Sequence, residues 1–198
     1  NVAVAHAVRL MTAKADSGEL DGVQFWEDSL RRATLALVLA QTAGYEDRVE
    51  AFTLGLIQDL GTLAMAVEFR DGSEALQRSS ECPAAERMEV ERQLSGFTHV
   101  EYLVKMGEEW GLPEDMLRVI ELTHTPVPIL DDRRLQRLRE VCMVADAVAD
   151  VVQTNANATS ISLANQRLDA MTTREPLVLE TLLDCAAVKM AEMSEEFE

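Results

Sequence analysis

Apolar residues in this 198-residue chain recur at the three- to four-residue spacing of α-helices along nearly its whole length. No segment alternates apolar and polar residues over the length of a strand. Residues 35–40 are apolar on every side, a pattern typical of a helix at the centre of a core. The chain is therefore predicted to be an all-α, multi-helix domain.

The helix boundaries follow from turn residues and capping signals. Thr98 precedes Glu101 by three residues, the spacing of a capping box, and predicts a helix start at that point. Residues 153–162 are rich in Thr, Asn, Ser and Ala and predict a mobile loop. Together these features predict about nine helices in one domain over 1–198. The predicted helices are 1–15, 23–42, 48–69, 83–94, 98–110, 113–124, 131–152, 160–171 and 175–197.

Composition and charge exclude several classes of function. Lys and Arg number 18 and Asp and Glu number 35, so the net charge is −17. A surface of this sign repels phosphate, which argues against nucleic-acid binding and against attachment to an anionic membrane. No apolar run approaches the roughly 18 residues of a membrane span. Three cysteines without a Cys-x-x-Cys pair indicate neither structural zinc nor a redox dithiol, and favour the reducing cytoplasm.

Two carboxylates stand out because they interrupt strongly apolar segments. Asp59 lies between Gly55 and Gly61 in a run of leucine and isoleucine, and Asp146 lies between Met143 and Val148. A buried carboxylate needs a hydrogen-bonding, ionic or metal partner, so both are predicted to belong to one shared polar site. The alternative is an ordinary hydrogen-bond network between helices. Glycines in a helix are explained most simply by a backbone or ligand that approaches closely.

An ordered set of short motifs carries a family resemblance. The motifs are Trp26-Glu27-Asp28-Ser29, Gly55-Leu56-Ile57-Gln58-Asp59-Leu60-Gly61, Gly96-Phe97-Thr98-His99-Val100-Glu101, Trp110-Gly111-Leu112-Pro113, Thr123-His124 and Ala145-Asp146. Their order and spacing resemble the HDOD family, regulatory relatives of the HD and HD-GYP metal-dependent phosphohydrolases. The resemblance covers core motifs over 26–150, with C-terminal helices over 157–198. It implies that the chain lacks the N-terminal helices of a full domain.

The resemblance also assigns the positions of a degenerate metal site. In an active HD enzyme, the first metal would be held at the positions of Asp28, Gln58, Asp59 and Asp146. The second metal would be held at the positions of His99, Thr123 and His124. Asp28, Gln58 and Thr123 stand where histidines are expected. The sequence therefore predicts vestigial site positions, no bound metal or other cofactor, and no catalytic residue.

The function implied by the resemblance is a non-catalytic, bacterial signal-transduction domain. Such a domain would act in the cytoplasm by binding a protein partner, a fused signalling domain or a small ligand, and a homodimer is left open. One alternative is a residual metal-dependent phosphohydrolase acting on a nucleotide or cyclic dinucleotide through Asp59, Asp146, His99 and His124. Another is a purely structural helical module fused to other domains.

A binding pocket for a cyclic dinucleotide would require local positive charge on this acidic chain. Two groups of arginines could provide it, and we interpret both as exposed helix faces that balance nearby acids. These arginines are Arg31, Arg32, Arg133, Arg134, Arg137 and Arg139.

Overall fold

The computed structural model describes residues 8, 12, 21–68, 84–124, 129–171, 173 and 176–197. Within these ranges the regular structure is entirely helical, which confirms the predicted all-α class. The helices are α1 Gly22–Thr42, α2 Arg48–Ile57, α3 Leu60–Glu68, α4 Ala84–Ser95, α5 His99–Glu109, α6 Glu114–Thr123, α7 Arg133–Gln153, α8 Ala158–Ala170 and α9 Leu179–Phe197.

Helix α1 lies at the centre of the core, as its apolar second half predicts. It packs against α2, α7 and α9, and Leu35, Ala36 and Leu39 are completely buried. Helix α7 is the second organising element, since it also contacts α2, α6 and α8. Each fully buried leucine stabilises the fold by roughly 1.5–3 kcal/mol relative to an exposed one. Helices α2, α6, α8 and α9 therefore pack on this central pair, and α3 and α5 extend the bundle through contacts with α2 and α6.

The predicted single helix over 48–69 is wrong, because a turn at residues 58–59 divides this segment into the two helices α2 and α3. The N–H of Thr62 donates to the carbonyl oxygen of Asp59 at 2.9 Å, a three-residue bond in place of the four-residue helical bond. Gln58 caps the end of α2, and Asp59 lies in the turn that follows. Neither residue is a helix breaker, so local sequence gives no warning. The turn directs neighbouring side chains to different helices.

The loop predicted over 153–162 is longer than the one in the structure. Helix α7 ends at Gln153 and α8 begins at Ala158, so only four residues connect them. The Asn157 side chain accepts a hydrogen bond from the Ser160 N–H at 2.9 Å and caps α8. The polar stretch thus supplies a helix cap. The last helix begins at Leu179 and not near residue 175.

The capping box at α5 is confirmed. The Thr98 hydroxyl accepts from the Glu101 N–H at 3.2 Å, and Glu101 Oε2 accepts from the Thr98 N–H at 2.9 Å. This reciprocal pair fixes the first turn of the helix that carries His99.

Two glycines bring helices together around the turn, as the sequence predicts for close backbone approach. A Cβ at Gly55 would lie 2.8 Å from the carbonyl oxygen of Arg32 in α1. A Cβ at Gly61 would overlap the carbonyl oxygen of His99 in α5. The glycines therefore place the α2–α3 turn directly against α1 and α5.

Several predictions lie outside the described residues. Only Val8 and Thr12 represent the predicted helix over 1–15, and both are helical and buried. Residues 125–128, which include two prolines, and Cys82, one of the three cysteines, also lie outside the described residues. Among the described helices, none has the length and apolar character needed to cross a membrane.

Candidate functional site

The turn between α2 and α3 brings most of the predicted site residues together. Gln58 Nε2 donates a hydrogen bond to Asp146 Oδ1 of α7 at 3.1 Å. Asp59 Oδ1 lies 4.0 Å from Nε2 of His124, the residue that caps α6. The rings of His99 and His124 meet edge to face, with centroids 5.0 Å apart. The structure therefore places these five side chains in one polar site between the helices.

Asp28 and Thr123 engage local partners. The Asp28 carboxylate pairs with Arg31 one turn further along α1. The Thr123 hydroxyl donates to the Ile120 carbonyl oxygen at 2.8 Å within α6. Two of the three positions where a histidine is expected are thus occupied by side chains that bond within their own helix.

Arg32 is the ionic partner of Asp59, and the sequence interpretation of this arginine as exposed is wrong. Its Nη1 lies 3.0 Å from Asp59 Oδ2, and the two side chains are only 7% and 14% exposed. Burial alone would raise the pKa of Asp59, but the charge of Arg32 holds it well below its ordinary value. Asp59 is therefore ionised under all ordinary conditions.

Arg139 is likewise buried and not on an exposed face. Its Nε donates to the Leu122 carbonyl oxygen at 2.9 Å, which ties α7 to α6. Arg134 does balance nearby acids, because it pairs with Asp47 at 2.8 Å and with Asp115 at 2.9 Å. The arginines thus include both structural anchors and surface ion pairs.

Glu91 is a site residue that sequence reasoning missed. Its Oε2 lies 2.7 Å from His99 Nδ1 and accepts the His99 backbone N–H at 2.9 Å. Burial raises the pKa of Glu91, but its hydrogen bonds with His99 lower the pKa by a larger amount, so the net shift is downward. An ionised carboxylate selects the tautomer with the proton on Nδ1, which leaves Nε2 as a free acceptor. Glu91 is one of several acids in its helix, so no sequence feature singles it out.

Three of these residues have the donor set of a single metal ion. One ligand atom each from Asp59, His99 and His124 can lie within 4.8 Å of the others. Nε2 of His99 and Nε2 of His124 are buried without a hydrogen-bond partner among the described residues. Burial lowers the pKa of His124 to about 4, so its ring is neutral at pH 7 and able to coordinate. Two imidazoles and a carboxylate suit a zinc or iron ion.

The positions assigned to the first metal of an HD enzyme do not fit an ion. Asp28 pairs with Arg31, and the Gln58 amide bonds to Asp146. One oxygen of Asp59 pairs with the Arg32 guanidinium. A cation is therefore already present beside the carboxylates, and it belongs to the protein.

A small cavity adjoins the site. Its volume is about 50 Å³, enough for one or two water molecules but not for a nucleotide. Burial, together with the charge of Asp59, raises the pKa of Asp146 to about 7. Arg167 of α8 is a lining residue that sequence reasoning did not select. The lining residues are Gln58, Thr123, His124, Cys142, Met143, Asp146 and Arg167.

The fold and site define an all-helical domain with an aspartate–histidine site between its helices. Residues 1–126 match the HDOD domain family, which is more than half of the chain. The chain belongs to the HDOD family, and the resemblance found in the sequence is confirmed. A search of curated proteins gave no match.

Solved structures agree with this assignment. The MmoQ response regulator of Methylococcus capsulatus str. Bath is 26% identical, with a TM-score of 0.65 over 83% of this chain and 62% of that one. An HDOD domain protein of unknown function from Geobacter sulfurreducens is 19% identical, with a TM-score of 0.63 over 91% and 65%. A proposed signal transduction protein from Marinobacter aquaeolei VT8 is 16% identical, with a TM-score of 0.58 over 86% and 39%.

These relatives are longer than the part that matches. The chain spans less than two thirds of the length of each of them. The two less identical structures establish similarity of fold alone.

Proposed function

We propose that this chain is a regulatory domain of bacterial signal transduction that acts by binding and not by hydrolysis. The observation that supports this most directly is the ion pair between Arg32 and Asp59. A carboxylate engaged by a guanidinium is a poor ligand for an ion that would have to activate water. The Gln58–Asp146 hydrogen bond engages a second position of the same degenerate set.

A named relative supports a role in signalling. The MmoQ protein, which is 26% identical to this chain, is a response regulator. It is longer than its matched region, which fits a domain that works beside other signalling modules. A fused domain or a separate protein in the cytoplasm would then be the partner.

A protein that binds the outer surface is a better candidate partner than a small organic ligand that binds in the site. Pockets for organic ligands usually measure about 300–1,000 Å³, whereas the cavity beside Asp146 measures about 50 Å³. The net charge of −17 also opposes binding of a cyclic dinucleotide. The domain is therefore proposed to present its outer surface to its partner.

The decisive experiment uses the His124→Ala variant to distinguish a regulatory role from hydrolysis. A bacterial strain that lacks its own copy is complemented with the wild-type protein or with His124→Ala. The purified proteins are assayed in parallel for phosphodiesterase activity on a cyclic dinucleotide with Mn²⁺, Fe²⁺ or Mg²⁺. We expect no turnover above background and equal complementation by both proteins. Turnover that is lost in His124→Ala, together with loss of complementation, would contradict the proposal.

A residual metal-dependent phosphohydrolase is the second candidate, favoured by the Asp59, His99 and His124 cluster. These residues would hold one ion, which could polarise a phosphoryl oxygen or a water. Plasma mass spectrometry on protein purified without chelator tests this candidate. Under the regulatory proposal we expect metal near background. Near-stoichiometric metal that disappears in Asp59→Ala would favour the hydrolase.

A further inference from the structure

The Arg32 side chain is buried in a group of carboxylates. Its nearest partner is Asp59 at 3.0 Å, and the charges of Asp146, Asp28 and Asp150 also act on it. Burial opposes the charge of Arg32, yet the carboxylates together raise its pKa above the ordinary value. The charges that act on Arg32 thus come from α1, the α2–α3 turn and α7, and among the described residues Asp59 is the one that contacts its guanidinium.

The backbone determines where this charge lies. Gly55 of α2 packs against the carbonyl oxygen of Arg32, so the two helices approach at the residue that carries the guanidinium. The Arg32 residue is 5% exposed, and its Nε has no hydrogen-bond partner among the described residues. Its one described ion pair is with Asp59. The side chain is therefore held inside the site and cannot exchange its partners for water at the surface.

We propose that Arg32 is a built-in cation that takes the place of a metal ion among the carboxylates of this site. Clustered carboxylates in a poorly hydrated interior require a counter-charge, which a divalent ion or a guanidinium can supply. The two cannot occupy the same place, since like charges repel and the guanidinium uses an oxygen of Asp59. This inference does not depend on what the domain binds.

The proposal predicts that the carboxylate group becomes a divalent-cation site when the guanidinium is removed. Oxygen ligands favour hard ions, so Mg²⁺ is the probe, and it distinguishes this group from the histidine cluster. Thermal unfolding of the whole chain is measured with and without Mg²⁺ at constant ionic strength. We expect Arg32→Ala to melt at a lower temperature than the wild type. We expect Mg²⁺ to raise its melting temperature by about 3–8 °C and that of the wild type by less than about 1 °C.

Two controls separate charge from packing. Arg32→Lys keeps a positive charge near the carboxylates, so we expect it to remain as insensitive to Mg²⁺ as the wild type. Arg139→Ala removes another buried arginine, whose described bond goes to a carbonyl oxygen. We expect that variant to be destabilised without gaining a response to Mg²⁺. An equal response of wild type and Arg32→Ala to Mg²⁺ overturns the proposal, whether both respond or neither does.

A second pair of variants decides the question if Arg32→Ala does not fold. In Arg32→Met with Asp59→Asn, the arginine and its nearest carboxylate are neutralised together. We expect this double variant to fold and to melt above Arg32→Met alone, because the uncompensated charge is the cause of the instability. Failure of Asp59→Asn to restore any stability would show that Arg32 acts through packing, and would overturn the proposal.

Discussion

Asp59 and Asp146 have pKa values that are shifted in opposite directions. Asp59 lies in the α2–α3 turn next to Gln58, and Gln58 donates a hydrogen bond to Asp146. The nearby Arg32 charge keeps Asp59 ionised, whereas burial and the charge of Asp59 raise the pKa of Asp146 to about 7. Since Asp146 accepts a hydrogen bond from Gln58 in either state, only its charge is disfavoured. Single residues therefore decide how much negative charge the site carries at neutral pH.

Replacement of Asp146 by asparagine is expected to remove part of the pH dependence of stability. The folded chain keeps the Asp146 proton to about pH 7, while the unfolded chain releases it near the ordinary pKa of 3.8. The stabilisation from this proton is full below about pH 4 and is lost as the pH rises to about 7. We expect Asp146→Asn to match the wild type near pH 4 and to exceed it by about 1–3 kcal/mol at pH 8.

Urea denaturation between pH 4 and pH 8 measures this difference. The exposed Asp184 of α9 provides a control, and Asp184→Asn is expected to keep the pH dependence of the wild type. A stability difference between Asp146→Asn and the wild type that does not change with pH would contradict the expectation.

The two described cysteines are expected to differ in reactivity. Burial, with the charge of Asp146, raises the pKa of the Cys142 thiol to about 12, while Cys185 is exposed. At pH 8 we expect iodoacetamide to modify Cys185 at least about tenfold faster than Cys142. Peptide mass spectrometry over time resolves the two sites. Denaturation in urea should make their rates similar, and rapid labelling of native Cys142 would contradict its burial.

At the scale of helices, the site depends on how α5 is started and how closely α3 approaches it. The Thr98–Glu101 capping box fixes the first turn, and Gly61 allows contact with the backbone of His99. The Glu91 carboxylate of α4 then orients the His99 ring. Three elements thus position one imidazole.

Removal of the cap is expected to weaken the fold modestly. Thr98→Ala loses the acceptor for the Glu101 N–H, a change that typically costs about 1 kcal/mol. Thr42→Ala is a suitable control, since its hydroxyl donates only to a carbonyl within α1 at an exposed position. Urea denaturation should show a clear loss for Thr98→Ala and little change for Thr42→Ala. Equal effects would mean that the capping box adds nothing beyond a surface hydroxyl.

A methyl group at Gly61 is expected to separate α3 from α5. The added Cβ would overlap the backbone oxygen of His99, which can move only with its helix, so we expect a loss of about 2–4 kcal/mol. At Gly107 the added Cβ would meet the Leu117 side chain, which can change rotamer. Thermal or urea unfolding of Gly61→Ala and Gly107→Ala compares the two cases. A greater loss for Gly107→Ala would contradict this account.

At the scale of the whole molecule, the dominant electrostatic feature is a net charge of −17. Exposed ion pairs such as Arg118–Glu121 contribute little, since water screens them. Repulsion among unpaired acids is then the larger effect at the surface.

Salt is therefore expected to stabilise the fold. Raising NaCl from about 20 mM to about 300 mM shortens the range of charge repulsion, and the melting temperature should rise by about 2–5 °C. Differential scanning calorimetry at pH 8 provides the measurement, with sucrose at matched osmolality as a control for non-ionic effects. A melting temperature that falls with salt would show that ion pairs outweigh repulsion.

Features that depend on residues close together in the sequence could be predicted, whereas features that depend on helix packing could not. The start of α5 and the extent of α1 could be predicted, because capping and apolar spacing act within a few residues. The break at Gln58 could not be predicted, since the apolar pattern continues across it. Asp59 and Asp146 could be selected as polar residues in apolar segments, but their partners could not. Arg32, Glu91 and Arg167 resemble surface residues until the helices pack.

The sequence by itself determined the helical class, the family and the two carboxylates, Asp59 and Asp146, that need partners in the interior, since each depends on local spacing or on ordered motifs. Only the tertiary structure decided how those residues are paired. It joins Gln58 to Asp146 across 88 positions and places the Arg32 guanidinium on Asp59. Helix packing sets which charges meet in the poorly hydrated interior, where a partner a few ångströms away determines the protonation and the ligand capacity of each group.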